Sequence, residues 1–254
     1  GGVKKAIVSS NPAFIQYVLK TNYDNYHKSE IQLKRMGHFL GNGLLTSHGK
    51  YWLTQRRLIQ QGFHRDQLAS LIHVMQDVLN KSIEQLQEEM KRGPIDIYNE
   101  MMKITFRMAT RSLFSTSLKE EELDTISNSI SSIQKFIVRQ IVQPFLNPWF
   151  RVSGTLRKYD EMRLNSDKII MDYVKKRRAL KDGQCHDLLQ ILLDAKYEDT
   201  GTGMSDEQVL NESMQLLVAG HETSSNAISW TLYLLCKHPE SIKKIRDEIR
   251  TELG

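Results

Sequence analysis

Apolar side chains recur at threes and fours along most of this chain, the spacing that lines up one face of an α-helix. Leu68, Leu71, Ile72, Met75, Val78, Leu79, Leu86 and Met90 make one stripe, closed by Gly93-Pro94. Ile97, Met101, Ile104, Met108 and Leu113 make a second, and Leu123, Ile126, Ile130, Ile133, Ile137 and Ile141 a third. Gln143 to Gly154 interrupts the pattern with Pro144 and Pro148, and offers Phe145, Trp149 and Phe150 as exposed aromatics. A fourth helix is predicted through Leu156, Tyr159, Ile169, Ile170 and Tyr173. A shorter one lies around Leu188 to Leu193, between Gly183 and the Gly201-Thr202-Gly203 loop.

The flanks of this pattern carry their own signals. Lys4 to Ser9 is a short strand candidate. Asn11-Pro12 predicts a helix start, an N-cap with proline at the first helical position, and places Phe14, Val18 and Leu19 inward. Met36 to Lys50, with Gly37, Gly41, Gly43 and Gly49, predicts a loop. Ser205-Asp206-Glu207-Gln208 forms a capping box, with Met204 and Val209 as a hydrophobic staple. The helix it opens reaches to about Lys237, a rod of about 45 Å. His238-Pro239-Glu240 opens one more helix.

Composition narrows the class without naming it. With 254 residues, 40% hydrophobic and 26% charged, the chain has ample material for a globular core. No stretch approaches the roughly 18 apolar residues of a transmembrane helix. The net charge of +5 is dispersed among acids, and no basic stripe is interleaved with aromatics, so no nucleic-acid partner is expected. Two cysteines, Cys185 and Cys236, make neither a disulfide framework nor a spaced metal site, which favours a reducing compartment.

The longest helix holds the candidate chemistry. Glu222 and Thr223 stand side by side, with apolar flanks from Val209 to Val218 and from Ile228 to Leu235, so both are expected to be buried. A buried charge is costly unless it is paired or used, and an acid beside an alcohol can deliver protons inside a dry cavity. A helical threonine can bond the carbonyl four residues back, here Ala219, which bends the helix and opens a groove. Ala219 and Gly220 on that groove floor would admit a flat cofactor or a diatomic ligand. The bland alternative is a satisfied polar patch between packed helices, the commoner case for an isolated Glu-Thr pair. Zinc is rejected: His221-Glu222 begins a His-Glu-x-x-His pattern, but position 225 is serine.

Ala219-Gly220-His221-Glu222-Thr223-Ser224 resembles the oxygen-activation motif of the cytochrome P-450 family, the haem-thiolate monooxygenases. Two further stretches resemble the same family. Gly43 to Arg57 contains Trp52-Leu53-Thr54-Gln55-Arg56, similar to the family's Trp-x-x-x-Arg helix, and Phe63 follows as the family's aromatic does. In that family the tryptophan and arginine bind a haem propionate. Positions four apart share a helix face, and an indole N–H and a guanidinium fork are both pure donors suited to a carboxylate. Gln61-Gly62 departs from the family's frequent Pro-Ala, which affects the loop rather than the haem contact. Ile228 to Leu235, then Lys237-His238-Pro239-Glu240, is similar to the passage from the family's central helix to the next.

The resemblance implies a mainly α, cytochrome P-450-like helical fold with a long central helix and a small β portion, here incomplete. It implies haem b, bound by Trp52, Arg56, Ala219, Gly220 and Thr223, with Glu222 and Thr223 as the catalytic residues that handle protons. No metal ligand is expected in the chain. The family's iron is held by a cysteine in a Phe-Gly-rich loop near the C-terminus, and neither Cys185 nor Cys236 has that context. Residues 1–254 are therefore expected to form a partial domain, from the first strand and helix through the helix after the central one. The C-terminal haem-ligand region would be absent, one apolar side of the central helix exposed, and the fragment inactive alone.

The intact protein is expected to be a haem-dependent monooxygenase, inserting one oxygen atom from O2 into a small apolar organic substrate. Electrons would come indirectly from NAD(P)H through a ferredoxin, a flavodoxin or a reductase domain. Lys50, Arg57 and neighbouring basic residues are open to two readings, a docking face for that donor or a merely solvated helix surface. Phe145, Trp149 and Phe150 are open to three readings: an access lip, a peripheral membrane contact, or a loop packed on its own domain. A cytoplasmic location is expected, or a membrane-associated one if an anchor precedes Gly1. The reading from another class is a non-enzymatic helical scaffold or interaction fragment lacking haem.

Overall fold

The computed structural model describes residues 7–63, 65–115, 118–180 and 187–253, and these are mainly helical. Of the strand predicted over 4–9, residues 4–6 lie outside the described ones and 7–9 take no regular structure. The β portion among the described residues is one isolated antiparallel bridge, Lys196 to Gly203.

The first helix, α1 (Pro12–Gln16), starts as predicted, with Asn11 Oδ1 accepting from the N–H groups of Ala13 and Phe14 at 2.9 and 3.2 Å. Its inward face does not materialise. Phe14 and Leu19 are exposed, and the segment packs chiefly on its own continuation, a π-helical turn over Tyr17–Thr21. The predicted loop over 36–50 is partly helical. A π-helical turn over Ile31–Met36 leads into α2 (Gly37–Leu40), whose Phe39 and Leu40 are buried. Gly41, at a left-handed φ of 69°, ends α2 and starts a loop that runs to α3 (Gly49–Gln60).

The four amphipathic stripes become α4 (Arg65–Arg92), α5 (Ile97–Phe114), α6 (Glu120–Val142) and α8 (Thr155–Ala179). Helix α4 buries a narrower stripe than its pattern suggests. Leu71 and Val78 are covered, while Leu68, Ile72, Met75 and Met90 face outward. The short α7 (Asn147–Val152) breaks the row of exposed aromatics. Phe145 and Trp149 are exposed, but Phe150 is buried, packed against Phe136 at 5.2 Å between ring centroids. The reason is periodicity: residues 149 and 150 face different sides of a helical turn, and only one side meets α6.

Helix α9 (Leu188–Asp194) is tied to α8 by a buried bidentate pair, Arg177 to Asp187, at 2.8 and 2.9 Å. The capping box forms as predicted. Ser205 Oγ accepts from the Gln208 N–H at 3.2 Å, and Gln208 Oε1 accepts from the Ser205 N–H at 2.8 Å. It opens α10 (Asp206–Lys237), 32 residues of unbroken helix, and α11 (Pro239–Leu253) follows.

Helix α10 is the axis of the molecule. It lies along α5 and also packs on α8 and α9. Val209, Leu217, Phe106, Phe114, Ile126 and Val174 belong to the main core, as do Leu58 and Ile59 of α3. The expected burial of both α10 flanks holds for the first only, and the second is the apolar side of the central helix expected to stand exposed. Residues from Ile228 to Leu235 are largely open, with Trp230 63% exposed, because nothing among the described residues covers that side. No helix among the described residues is long and apolar enough to cross a membrane.

Candidate active site

Three successive side chains on α10 leave the helix in different directions, as about 100° per residue requires. His221 goes inward. It is fully buried, its ring stands edge-on to Phe106 at 5.4 Å, and its Nδ1 lies 2.8 Å from Leu217 O. A carbonyl only accepts, so Nδ1 carries the proton, and burial pushes the imidazole pKa down. Glu222 turns to α6, where Gln134 Nε2 donates to its Oε2 at 2.6 Å. Thr223 turns to the uncovered face, and its Oγ1 donates to Ala219 O at 2.8 Å, the predicted back-bond. The expected burial of the Glu222–Thr223 pair is not found: Glu222 is half-buried, Thr223 is exposed, and the two face different ways.

Ala219 and Gly220 are exposed beside Thr223. A side chain at Gly220 would meet only Ala109 Cβ, at an ordinary 3.6 Å, so the packing of α5 does not demand glycine there. The three residues form a shallow strip with one hydroxyl in it.

Trp52 and Arg56 lie one turn apart on α3. Trp52 is half-buried, and Lys28 Nζ stands 5.6 Å from its ring centroid. Arg56 is exposed and pairs with no carboxylate among the described residues. Cys236 is exposed at the end of α10, and Cys185 lies outside the described residues. No group of three or more His, Cys, Asp or Glu side chains among the described residues could hold a metal ion.

A family model described as cytochrome P450 matches residues 1–254. The chain belongs to the cytochrome P450 family. It is 30% identical over 257 residues to cyclooctatin synthase of Streptomyces melanosporofaciens, covering 100% of this chain and 54% of that protein. It is 27% identical to pentalenene oxygenase of Streptomyces avermitilis, covering 99% of this chain and 55% of that one. The fold matches the crystal structure of a cytochrome P450DA variant haem domain with a TM-score of 0.77 and 22% identity, over 92% of this chain and 51% of that one. The chain spans about half the length of the curated relatives it matches.

Haem is the cofactor this P450 fold implies, and the residues present suit parts of it. Arg56 is a cation without a partner among the described residues, beside an indole donor, which is the donor set a propionate needs. The strip of Ala219, Gly220 and Thr223 leaves room for a flat group against α10.

Sequence reasoning passed over a second polar group on α10. Glu212 and Gln215 are 1% and 2% exposed, and both bond the loop before α3. Burial pushes the Glu212 carboxyl up to about 7, only partly offset by the Leu44 N–H and by the charge of Lys28. Lys28 itself is pushed down by burial. The signal was available: two polar residues three apart inside the apolar run from Val209 to Val218 share one helix face.

Proposed function

We propose that the full-length protein carrying this chain is a haem-dependent monooxygenase that inserts one oxygen atom from O2 into an apolar organic substrate. The observation that carries this reading is the hydroxyl of Thr223 standing alone on a strip of small residues, on a helix whose opposite side is packed into the core. Bound haem b supplies the oxygen chemistry, with electrons drawn indirectly from NAD(P)H through a donor protein. The Trp52 N–H and the Arg56 guanidinium hold a propionate. The Thr223 hydroxyl, its own hydrogen given to Ala219 O, presents lone pairs to the haem side. Glu222, tethered by Gln134, is the carboxyl group one residue away that relays protons to this strip.

An apolar substrate is supported by the similarity to pentalenene oxygenase, whose name gives an alkene as what that protein oxygenates.

Replacement of Thr223 by alanine tests the reading. Product formed and peroxide released are compared per electron consumed, and the variant is expected to shift the balance towards peroxide. Unchanged coupling removes Thr223 from its role. A reduced carbon monoxide difference spectrum separates the enzyme from a helical scaffold without haem.

A further inference from the structure

The residues assigned to the haem sit on α3 and α10, far apart in sequence, so their register depends on what joins these helices. Tyr197, which accepts from Gln55 of α3 and Gln208 of α10, and the shared core give part of that join, and the loop over residues 41–48 gives the part next to Trp52. The Leu44 N–H donates to Glu212 Oε2 at 3.1 Å, and the Leu45 N–H to Gln215 Oε1 at 2.7 Å. Gln215 Nε2 donates in return to Leu40 O at 3.1 Å and Thr46 Oγ1 at 2.9 Å. From the other side Lys28 Nζ donates to Leu44 O, and Gln32 Nε2 to Leu45 O at 3.0 Å. Leu44 and Leu45 are thus gripped by both N–H and C=O, although neither belongs to a helix.

The approach is close enough that a side chain at Gly41 or Gly43 would displace one on α10. A Cβ on Gly43 would stand 2.7 Å from the Gln215 side-chain amide. One on Gly41, already at φ 69°, would stand 1.9 Å from Asn211 Oδ1. Burying a carboxyl and a carboxamide in a helix core costs free energy that leucines would not incur. Here that cost is offset by bonds to a single target, the backbone just before Trp52.

The geometry points to Glu212 and Gln215 as positioning residues that lock the 41–48 loop onto α10 and so hold Trp52 and Arg56 in register with Thr223. The inference rests on the reading of Trp52 and Arg56 as propionate binders. Glu212 acts through the loop. One carboxylate oxygen is committed to Leu44, and the other, Oε1, is buried with no partner among the described residues. Lys28 strengthens the same join, since its ammonium bonds Leu44 O and stands over the Trp52 ring.

The test uses the full-length, haem-loaded protein with Glu212→Ala, Gln215→Ala and Glu212→Gln. Deuterium exchange at the Leu44 and Leu45 amides reports the clamp itself. Transfer of haem to excess apomyoglobin reports its effect on the cofactor. Loss of the one hydrogen bond from Glu212, or of the several from Gln215, should speed exchange and haem release by at least about tenfold in the alanine variants. Glu212→Gln, which keeps an acceptor oxygen for Leu44, should restore both to the wild-type range. In an Arg56→Ala background, Glu212→Ala should add less than about twofold to haem release, because both changes remove one shared interaction.

Unchanged amide exchange in both alanine variants overturns the inference. So does faster exchange with haem release at the wild-type rate, and so does full additivity with Arg56→Ala. A wild-type protein that takes up no haem overturns the proposed function and the haem-directed half of this inference. Amide exchange then still decides the clamp.

Discussion

Gln134 on α6 donates to Glu222 on α10 at 2.6 Å, while Thr223, the next residue, bonds only its own helix. The two halves of the acid–alcohol motif therefore answer to different neighbours. Gln134→Leu should destabilise the protein by about 1 kcal/mol, since it leaves a half-buried carboxylate without its donor. Thr223→Ala should stay within about 0.5 kcal/mol of wild type, because its side chain is exposed and its bond is local. Urea unfolding of both variants checks this. A Thr223→Ala protein as unstable as Gln134→Leu would mean that a loss of coupling cannot be separated from a loss of fold.

Asp187 joins three elements. Its two oxygens take the Arg177 fork, it accepts from Ser115 Oγ, and it caps α9 through the Gln190 N–H at 2.9 Å. Arg177 is almost fully buried, so removing Asp187 takes the bidentate carboxylate away from a buried charge. Asp187→Ala should cost about 3–5 kcal/mol, against much less for a paired apolar replacement of both residues. The denaturation midpoints of the single and double variants test the difference. Equal losses would show that the cap and the Ser115 bond, not the lost ion pair, dominate.

Local signals were the legible part of this chain. The Ser205–Gln208 box, the Asn11 cap, the four long stripes and the Thr223 back-bond depend on residues within one or two turns, so sequence alone specifies them. What failed depends on partners. Phe14 and Leu19 have the spacing of a buried face but nothing laid across it, and Ile228 to Leu235 is apolar without a cover among the described residues. Glu222 and Thr223 are neighbours in sequence, yet helical rotation alone separates their faces. Glu212 and Gln215 were visible as polar interruptions of an apolar run. Their target, the backbone of a loop 168 and 170 residues earlier, follows only from the tertiary fold.

Glu212 also gives the fold a pH dependence whose sign can be worked out. Its folded pKa is raised from 4.5 to about 7, first by burial, with Leu44 N–H and Lys28 opposing. Tyr51 on α3 also lies within its field. Below about pH 4.5 the carboxyl is protonated folded or unfolded, and no penalty arises. Between about 4.5 and 7 the unfolded chain ionises while the folded one does not, so stability falls as pH rises and levels off above 7. His221 works in the opposite direction, since burial lowers its pKa below 6.5 and stability is lost as pH falls. Comparing wild type with Glu212→Gln cancels His221, which both retain. From pH 5 to 8 the variant should gain on wild type, by on the order of 2 kcal/mol in all, with the gain complete near pH 7. Urea titrations across that range give the difference directly. A constant difference would show that Glu212 is ionised throughout and that Lys28 compensates its burial fully.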